Sequence, residues 1–514
     1  MSIKAFCSTV TRHPFNCSPF LDVSASLQAF VDHVVDELDY KLPSPPPVSI
    51  FASGLSIPTV RSTESSEIFQ QAFVRFGRVS HLLQVLAMHP TYASKFSDCM
   101  HTIMYGSGPL PRPWRAYIAA MAGAAARCPY IVSRQVEAFL ADGGDETWLT
   151  DIEAAPVKLQ RLAELNNLLM VRPWAISEDT IAHISQGTGG DAMNAGEIVH
   201  AMVILTSYHS ISSLVWGMGV QPEVDMLFRS SAPATPNIKT QHLPSAPPSI
   251  SSPLGIMSSR PSASAAGNGG PGSADAPCQD ELPFKDLSAE HDELMDELLK
   301  ETGISREQVQ TLQVASSESA IVSPTFTAAG PAPTTATPPA SSTCGLDCAY
   351  SAVLFREVIA YRDFNIKEGV LRTRDFSWAE HGYPLLNRYF ATATTQVDDI
   401  FSHTFSLTYH TLGSHTNLDT SPYRTAVWYM VHRLFGITND DYQYSDINRF
   451  LKVPTKRYIK RLVTTPWLLR RDDYNAIVGG MTDGEKCHIN LLALEAKKQA
   501  SIMYALSSVV KHFA

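Results

Sequence analysis

The chain has 514 residues, of which 44% are hydrophobic and 18% charged, and its formal net charge is −10. This length suffices for two large domains and a linker, and the composition is that of a soluble globular protein. The acidic balance, without a concentrated basic patch, argues against nucleic acid or an anionic membrane as the main partner.

Residues 1–66 are predicted to form a partly helical N-terminal extension, which begins without the apolar core of a signal peptide. The eight cysteines of the chain have no regular spacing. Scattered cysteines suit a reducing compartment, so we predict a cytoplasmic protein, and the same pattern is compatible with the nucleus.

Residues 67–230 carry many helix signals and form the predicted N-terminal helical domain. An alanine-rich run follows Pro113, and a second helix is predicted to begin at Pro129 and to end before Gly143. Further helices are predicted at 155–171, 178–184 and 197–218. Serine, threonine and histidine interrupt the most apolar stretch, 201–220, so we predict a buried helix there and no membrane span.

Residues 231–345 are dominated by proline, serine, alanine and threonine, and their only aromatic residues are Phe284 and Phe326. Such a segment buries too little apolar surface to offset its ordering entropy, so we predict a disordered linker. Within it, residues 288–312 have helix caps and a leucine stripe. This island is either a transient solvated helix or a docking element.

Residues 346–514 form the predicted C-terminal domain, which also has mainly helical patterns and no convincing run of alternating strand residues. The predicted fold class is therefore all-α, with two helical domains joined by the long disordered insert. No P-loop, dinucleotide fingerprint or metal-spaced Cys/His cluster occurs, so we predict neither a metal nor a cofactor.

Sequence phrases in a fixed order carry a family resemblance. In the N-terminal half they are GPLPRPWRAYIAAMA (108–122), GGDETWL (143–149) and APVKLQRLAELNNLL (155–169). In the C-terminal half they are FSWAEHGYPLLNRY (376–389), LDTSPYRTAVW (418–428), FGITNDDYQYSDIN (435–448) and GEKCHINLLALEAKKQA (484–500). Over both helical regions the chain resembles the sestrin family. The resemblance implies two packed helical domains of the alkylhydroperoxidase (AhpD, carboxymuconolactone decarboxylase) type.

Cys128 is the candidate redox residue. It precedes Pro129, so it is expected at a helix N-terminus, where backbone N–H groups and the helix dipole favour a thiolate. The alternative is a small buried hydrophobic residue. The resemblance implies a proton relay of Cys128, Tyr130 and a histidine, but the histidine position holds Gln135, which cannot exchange a proton near neutral pH. Hydroperoxide reduction is therefore expected to be slow or absent.

The resemblance also implies a pocket for a free, leucine-like amino acid. A zwitterion needs a cation for its carboxylate and an anion for its ammonium, and an arginine fork suits the first task. These roles map to Arg424 and Glu485, and three lid and latch threonines map to Thr408, Thr411 and Thr420.

Local spacing adds two expectations about this pocket. Thr408 and Thr411 are three residues apart, which would place both on one helix face. Thr420 precedes Ser421-Pro422, a helix-start pattern that would place Arg424 in the first turn. Val478 occupies the position of an aromatic pocket floor, so binding is expected to be weak or shifted to another side chain.

Asp440 and Asp441 resemble the acidic pair through which sestrins bind the GATOR complex upstream of the TOR kinase. Tyr442 and Tyr444 beside them suit an interface, because aromatic residues dominate binding hot spots. A further contact position maps near Asn194, where the family's usual serine is replaced.

The resemblance, taken with these residues, implies three alternative functions. The first is a stress- and amino-acid-responsive negative regulator of TOR signalling, which binds a GATOR-type complex and releases it when the pocket is occupied. The second is a cysteine-dependent alkyl hydroperoxide reductase, which Gln135 disfavours. The third is a scaffold that needs no ligand.

Overall fold

The computed structural model describes residues 46–60, 65–187, 191–223 and 360–513, with isolated positions between 18 and 33 and at 226 and 354. The chain divides into two units, one of residues 1–235 with 341–514 and one of residues 236–340. The second unit, the predicted 231–345 linker and its 288–312 island lie outside the described residues.

Ten helices occupy the described N-terminal half. They are α1 Ser66–Phe76, α2 His81–Leu86, α3 Pro90–Tyr105, α4 Arg112–Ala125, α5 Pro129–Ala141, α6 Thr147–Thr150, α7 Val157–Gln160, α8 Leu162–Val171, α9 Glu178–Ser185 and α10 Ala195–Gly217. Short 3₁₀ turns cover Ile152–Ala154 and Pro173–Ala175.

The described C-terminal half contains six α-helices and four strands of two residues each, besides 3₁₀ turns at Ile366–Glu368 and Pro466–Leu468 and a π-helical turn at Trp378–Gly382. The helices are α11 Tyr383–Ser406, α12 Ser421–Leu434, α13 Ser445–Phe450, α14 Val453–Thr464, α15 Arg471–Asn475 and α16 Asp483–Phe513. The strands are β1 Leu371–Arg372, β2 Thr411–Leu412, β3 His415–Thr416 and β4 Ile437–Thr438. β1 pairs with β4 in parallel and β2 with β3 antiparallel, so the all-α prediction is confirmed.

Local sequence explains where α4 and α5 begin and end. Pro129 starts α5, and Gly143 follows its end with φ 82°, a left-handed conformation that glycine adopts without strain. Gly123 of α4 lies where a Cβ atom would approach the Ile131 side chain to 2.8 Å. Because glycine has no side chain at position 123, α4 and α5 pack closely there. The predicted 155–171 helix is divided at Arg161 into α7 and α8.

The long helices α10 and α16 form the centre of a core that both halves share. α10 is long and apolar enough to cross a membrane by length and composition alone, yet its most apolar 18-residue window is entirely buried in the protein. Thr206 is accommodated there because its hydroxyl donates to the Met202 carbonyl at 2.9 Å. Ser210 of α10 donates to the Leu494 carbonyl of α16 at 3.2 Å. The predicted buried helix is confirmed.

Candidate functional site

Cys128 lies at the N-terminal end of α5, as predicted, and its backbone N–H donates to the Gly123 carbonyl at 2.8 Å. Its side chain is 1% exposed. It lines a crevice of about 10 Å³ together with Phe51, Trp216 and Leu469. A volume of this size is at the lower limit for a single water molecule, so a hydroperoxide reaches the sulfur only after the crevice opens.

Tyr130 is buried and donates its hydroxyl to Glu223 Oε1 at 2.8 Å, and the backbone N–H of His81 donates to the same oxygen at 2.8 Å. Burial, followed by the Glu223 charge, raises the pKa of Tyr130 well above its ordinary value. A phenol with this partner holds its proton firmly, which opposes a relay toward the cysteine. Glu223 was not predicted as a site residue, and its only sequence signal is a carboxylate directly after Gln221-Pro222 at the edge of the linker.

Gln135 does not complete the relay in this structure. It lines a separate, larger cleft that Tyr130 and Tyr208 also border, and it hydrogen-bonds to Tyr208. Cys128 belongs to the small crevice instead. Tyr130 therefore borders both cavities, one with Cys128 and the other with Gln135, while Cys128 and Gln135 line different ones.

Residues 407–420, which we call the flap, cover Glu485 at the start of α16. Thr411 on β2 donates to Glu485 Oε1 at 2.7 Å, and the Gly413 N–H donates to the same oxygen at 3.3 Å. Oε2 accepts from the N–H of Thr482 at 2.8 Å and from its hydroxyl at 3.0 Å. Glu485 is 5% exposed, so this buried carboxylate is stabilised by four donors.

Thr482 was missed although its signal was present. The Glu485 N–H donates back to the Thr482 hydroxyl at 3.2 Å, which makes the pair a capping box for α16. Its pattern, a threonine three residues before a glutamate at the head of an apolar run, is legible in the sequence. Glu485 therefore has a structural role whether or not it binds a ligand.

The prediction that Thr408 and Thr411 share a helix face is wrong. α11 ends at Ser406, Thr408 follows in an irregular segment, and Thr411 lies on β2. The Thr408 hydroxyl instead hydrogen-bonds to the Thr420 hydroxyl at 2.9 Å, which joins the two ends of the flap. Thr408 and Thr420 therefore meet at the base of the flap, while Thr411 contacts Glu485 instead.

Arg424 lies in the first turn of α12, as predicted, and is 8% exposed. Its Nη1 donates to the carbonyls of Ser406 at 2.9 Å and Leu407 at 2.6 Å, and Nη2 donates to the Ser421 hydroxyl at 3.0 Å. Among the described residues, the buried Nε–H of Arg424 has no acceptor. The guanidinium thus anchors the start of the flap through these hydrogen bonds. Its Nε–H remains available to donate to another acceptor.

Val478 is half-buried, and the glycines that follow it contact the flap. The Gly479 carbonyl lies 2.8 Å from the position that a Cβ atom of Gly413 would take. Gly413 itself has φ 62°, so this close approach at the flap tip requires glycine. The predicted floor segment therefore faces the flap.

Asp440 and Asp441 are exposed on the turn between β4 and α13. Asp440 forms a 3.4 Å ion pair with Arg374, and the Asp441 N–H donates to Asn439 Oδ1 at 3.0 Å. The Tyr442 ring packs against the Tyr429 ring of α12 in a tilted arrangement, with ring centroids 4.5 Å apart. The turn that carries the two aspartates is thus supported by packed aromatic rings. Asn194 caps α10 by accepting from the Glu197 N–H at 2.9 Å, a role that uses its side chain locally.

Comparison with known proteins decides the family. The sequence profile described as PA26 p53-induced protein (sestrin) matches residues 48–513. The chain belongs to the sestrin family. Sestrin-2 of Homo sapiens is 33% identical over 447 residues, which cover 86% of this chain and 86% of that protein. Sestrin-1 of Xenopus laevis is 30% identical over 472 residues (87% of each chain), and a Sestrin homolog of Dictyostelium discoideum is 30% identical over 517 residues (96% of this chain, 81% of that protein).

Hydroperoxide turnover by this sestrin is expected to be slow or absent. The thiol is enclosed, Tyr130 is bonded to Glu223, and Gln135 lies on a different cleft. The measurement is consumption of tert-butyl hydroperoxide by the purified full chain with dithiothreitol as reductant. Cys128→Ser and Cys99→Ser, which alters another buried cysteine, should both leave the low rate unchanged. Rapid consumption that only Cys128→Ser abolishes would overturn this expectation.

Proposed function

We propose that this sestrin is an amino-acid-responsive negative regulator of TOR signalling. It binds a GATOR-type complex through the Asp440–Asp441 turn and releases it when a free, leucine-like amino acid occupies the site between Arg424 and Glu485. Membership of the family supports a sestrin-like stress-responsive protein, and the geometry of these residues supports the finer proposal.

The unused Nε–H of Arg424 is the observation that carries the proposal. A buried donor without an acceptor costs free energy, about 1–3 kcal/mol, and is rare in folded proteins. A ligand carboxylate approaching the edge formed by Nε and Nη2 would accept two parallel hydrogen bonds, the geometry that arginine forms best. The site therefore has one buried hydrogen-bond donor, the Arg424 Nε–H, for which the carboxylate of an amino acid would be an acceptor.

The Glu485 carboxylate supports the second half of the proposal. Each of its oxygens already accepts two hydrogen bonds, which fills its lone-pair positions. A ligand ammonium must displace one donor, and the longest bond, from the Gly413 N–H at 3.3 Å, is the least costly to lose. Ligand binding at Glu485 is therefore coupled to movement of the flap. A ligand can move the flap only to the extent that it binds more tightly to one flap position than to the other.

α12 offers a physical connection between the ligand site and the partner surface. Arg424 lies in its first turn, and Tyr429 in its middle accepts a hydrogen bond from Asn439 Nδ2 at 2.8 Å. The 14-residue helix is about 21 Å long and is joined to the acidic turn by this bond and by the contact between the Tyr429 and Tyr442 rings. A movement of α12 at its Arg424 end would therefore displace the Tyr429 side chain that supports the turn carrying Asp440 and Asp441.

Replacing both carboxylates, Asp440→Ala with Asp441→Ala, is expected to abolish pulldown of a GATOR-type complex. Both side chains are exposed, and the Asp440–Arg374 pair is a surface ion pair of small stabilising effect, so the variant should remain folded. The measurement is co-precipitation from cells with and without leucine, where the wild-type chain should lose its partner on leucine addition.

The matched control is Glu178→Ala with Asp179→Ala, an adjacent exposed pair in the first turn of α9. This variant should precipitate the complex as the wild type does. Retention of the complex by the Asp440/Asp441 variant would contradict the proposed surface. Binding that requires both aspartates but ignores leucine would favour the ligand-independent scaffold.

A further inference from the structure

Ser421 stands directly before Pro422 at the start of α12. Among the described residues three serines or threonines precede a proline, and the other two are Ser18 and Thr465. Ser18 is buried and Thr465 half-buried, whereas Ser421 and Pro422 are both exposed. A serine followed by proline is the minimal sequence that proline-directed protein kinases accept. In the described part of the chain, Ser421 is therefore the exposed acceptor for a kinase of this class.

The chain around Ser421 is suited to the extended form in which a kinase binds its substrate. Residues 414–419 at the end of the flap are exposed, and Ser421 is the first residue of α12. A residue before proline is biased away from the helical conformation, so this first turn frays at small cost. The hydroxyl bond between Thr408 and Thr420 is a contact that must open with it.

Arg424 lies three residues after Ser421 and is placed to bind a phosphate there. Its Nη2 already donates to Ser421 Oγ at 3.0 Å, while Nη1 is held by the Ser406 and Leu407 carbonyls. Arg424 is 8% exposed, and its Nε–H has no acceptor among the described residues. Nε and Nη2 form one edge of the guanidinium, to which a phosphate can bind bidentately. A phosphate on Ser421 would therefore lie beside a fixed pair of donors.

Asp419 is the carboxylate next to Ser421. Its Oδ1 accepts from the Ser421 hydroxyl at 2.6 Å and from the Ser421 N–H at 2.9 Å. Asp419 would repel a phosphate, but its side chain is exposed, so water screens the repulsion. The start of the 14-residue α12 acts in the opposite sense, because a helix N-terminus stabilises negative charge. Together with the buried Arg424 guanidinium, this favours the phosphate.

We propose that Ser421 is a phosphorylation site for a proline-directed kinase and that its phosphate binds the Nε–Nη2 edge of Arg424. In the reaction, the Ser421 hydroxyl oxygen attacks the γ-phosphorus of ATP. The Oγ–P bond forms, and the bond from the γ-phosphorus to the bridging oxygen breaks, so that ADP leaves with that oxygen. The hydroxyl proton passes to the catalytic aspartate of the kinase.

The regulatory consequence rests on the proposed function. The Nε–Nη2 edge of Arg424 is also the edge that would bind the carboxylate of an amino acid. Phosphate and ligand therefore exclude each other at Arg424. A chain phosphorylated at Ser421 keeps its partner even when the amino acid is present.

The first test needs no amino acid. The purified full chain is treated with a mitogen-activated protein kinase and ATP, and mass spectrometry locates the phosphate in the peptide that ends at Arg424. In a ³¹P NMR titration its second pKa should lie about half a unit or more below the ordinary value of about 6, because the guanidinium favours the dianion. A synthetic phosphopeptide of residues 414–423 supplies the reference value. Arg424→Gln should return the pKa to that reference.

The matched control for this test is Ser445→Ala, which removes an exposed serine at the first residue of α13 that no proline follows. This variant should keep the shifted ³¹P signal, and Ser421→Ala should lose it. The absence of phosphate on Ser421, or a phosphate pKa equal to that of the peptide, would overturn the proposal without any need for the Arg424 variant.

The second test is calorimetric titration of the unmodified and the phosphorylated chain with the preferred amino acid. Phosphorylation should weaken binding about tenfold or more, and kinase-treated Ser421→Ala should bind as the unmodified chain does. Equal affinity of the two forms would overturn the competition at Arg424. If neither form binds an amino acid while the phosphate pKa is lowered, the phosphate site stands and the proposed function fails.

Discussion

Lowering the pH from 7 to about 5 is expected to unfold the shared helical core. Burial lowers the pKa of His89, His200 and His432 to about 4 and that of His488 to about 3, from an ordinary value of 6.5. These four rings are neutral in the folded protein. Three of them use a ring nitrogen to donate to a backbone carbonyl, as His200 does to Ile103 at 2.9 Å.

The sign of the effect follows from proton uptake. Between pH 6.5 and 4 the unfolded chain binds protons at these histidines and the folded chain does not, so stability is present above pH 6.5 and falls as the pH falls. Each histidine loses about 2 kcal/mol by pH 5 and about 3 kcal/mol by pH 4. Four losses at pH 5 amount to about 8 kcal/mol, comparable with the whole free energy of unfolding of an ordinary domain.

His432→Leu provides the test. His432 is buried on α12 between the rings of Trp428 and Tyr429, so leucine suits its surroundings and removes one titrating group. The midpoint of acid unfolding, followed by far-UV circular dichroism, should move down by about half a pH unit. His415→Leu, at an exposed position on β3, should leave the midpoint unchanged. If the wild type, His432→Leu and His415→Leu all unfold at the same pH, then folding does not oppose protonation of His432.

Local patterns predicted the helices of this fold well where the chain itself marks their ends. Pro129 and Gly143 bracket α5, Ser421-Pro422 starts α12, and the apolar stretch of α10, interrupted by small polar residues, indicated a buried helix. These signals act over a few residues, so a single sequence contains them. The division of the 155–171 segment at Arg161 has no such marker.

The flap could not be predicted in the same way. β2 and β3 are two residues each, too short to show alternation, and Thr411 meets Glu485 across 74 positions of sequence. The spacing of Thr408 and Thr411 suited a helix, but the bond between Thr408 and Thr420 favours a turn. Tertiary contacts decided this segment, and family resemblance, not local propensity, identified its residues.

Glu485→Gln and Arg424→Lys are each expected to weaken amino-acid binding about 100-fold, because each removes one charged partner of a buried zwitterion. Glutamine at position 485 can still accept from the Thr482 N–H, so the capping box remains while the ammonium loses its anion. Lysine at position 424 keeps the positive charge but lacks the Nε–Nη2 edge that would bind a carboxylate bidentately. The measurement is calorimetric titration with leucine, isoleucine, methionine and arginine, because Val478 leaves the preferred side chain open.

Two matched variants separate ligand binding from stability. Glu197→Gln alters the capping-box glutamate of α10, and Arg433→Lys alters an arginine at the far end of α12 that lies over the Tyr444 ring. Both should bind the preferred amino acid as the wild type does, with each melting shift compared with the variant's own ligand-free value. A wild-type chain that none of the four amino acids stabilises at millimolar concentration would mean that Arg424 and Glu485 only hold the flap. In that case the buried Nε–H of Arg424 would have to be satisfied by water, and partner binding would be independent of amino acids.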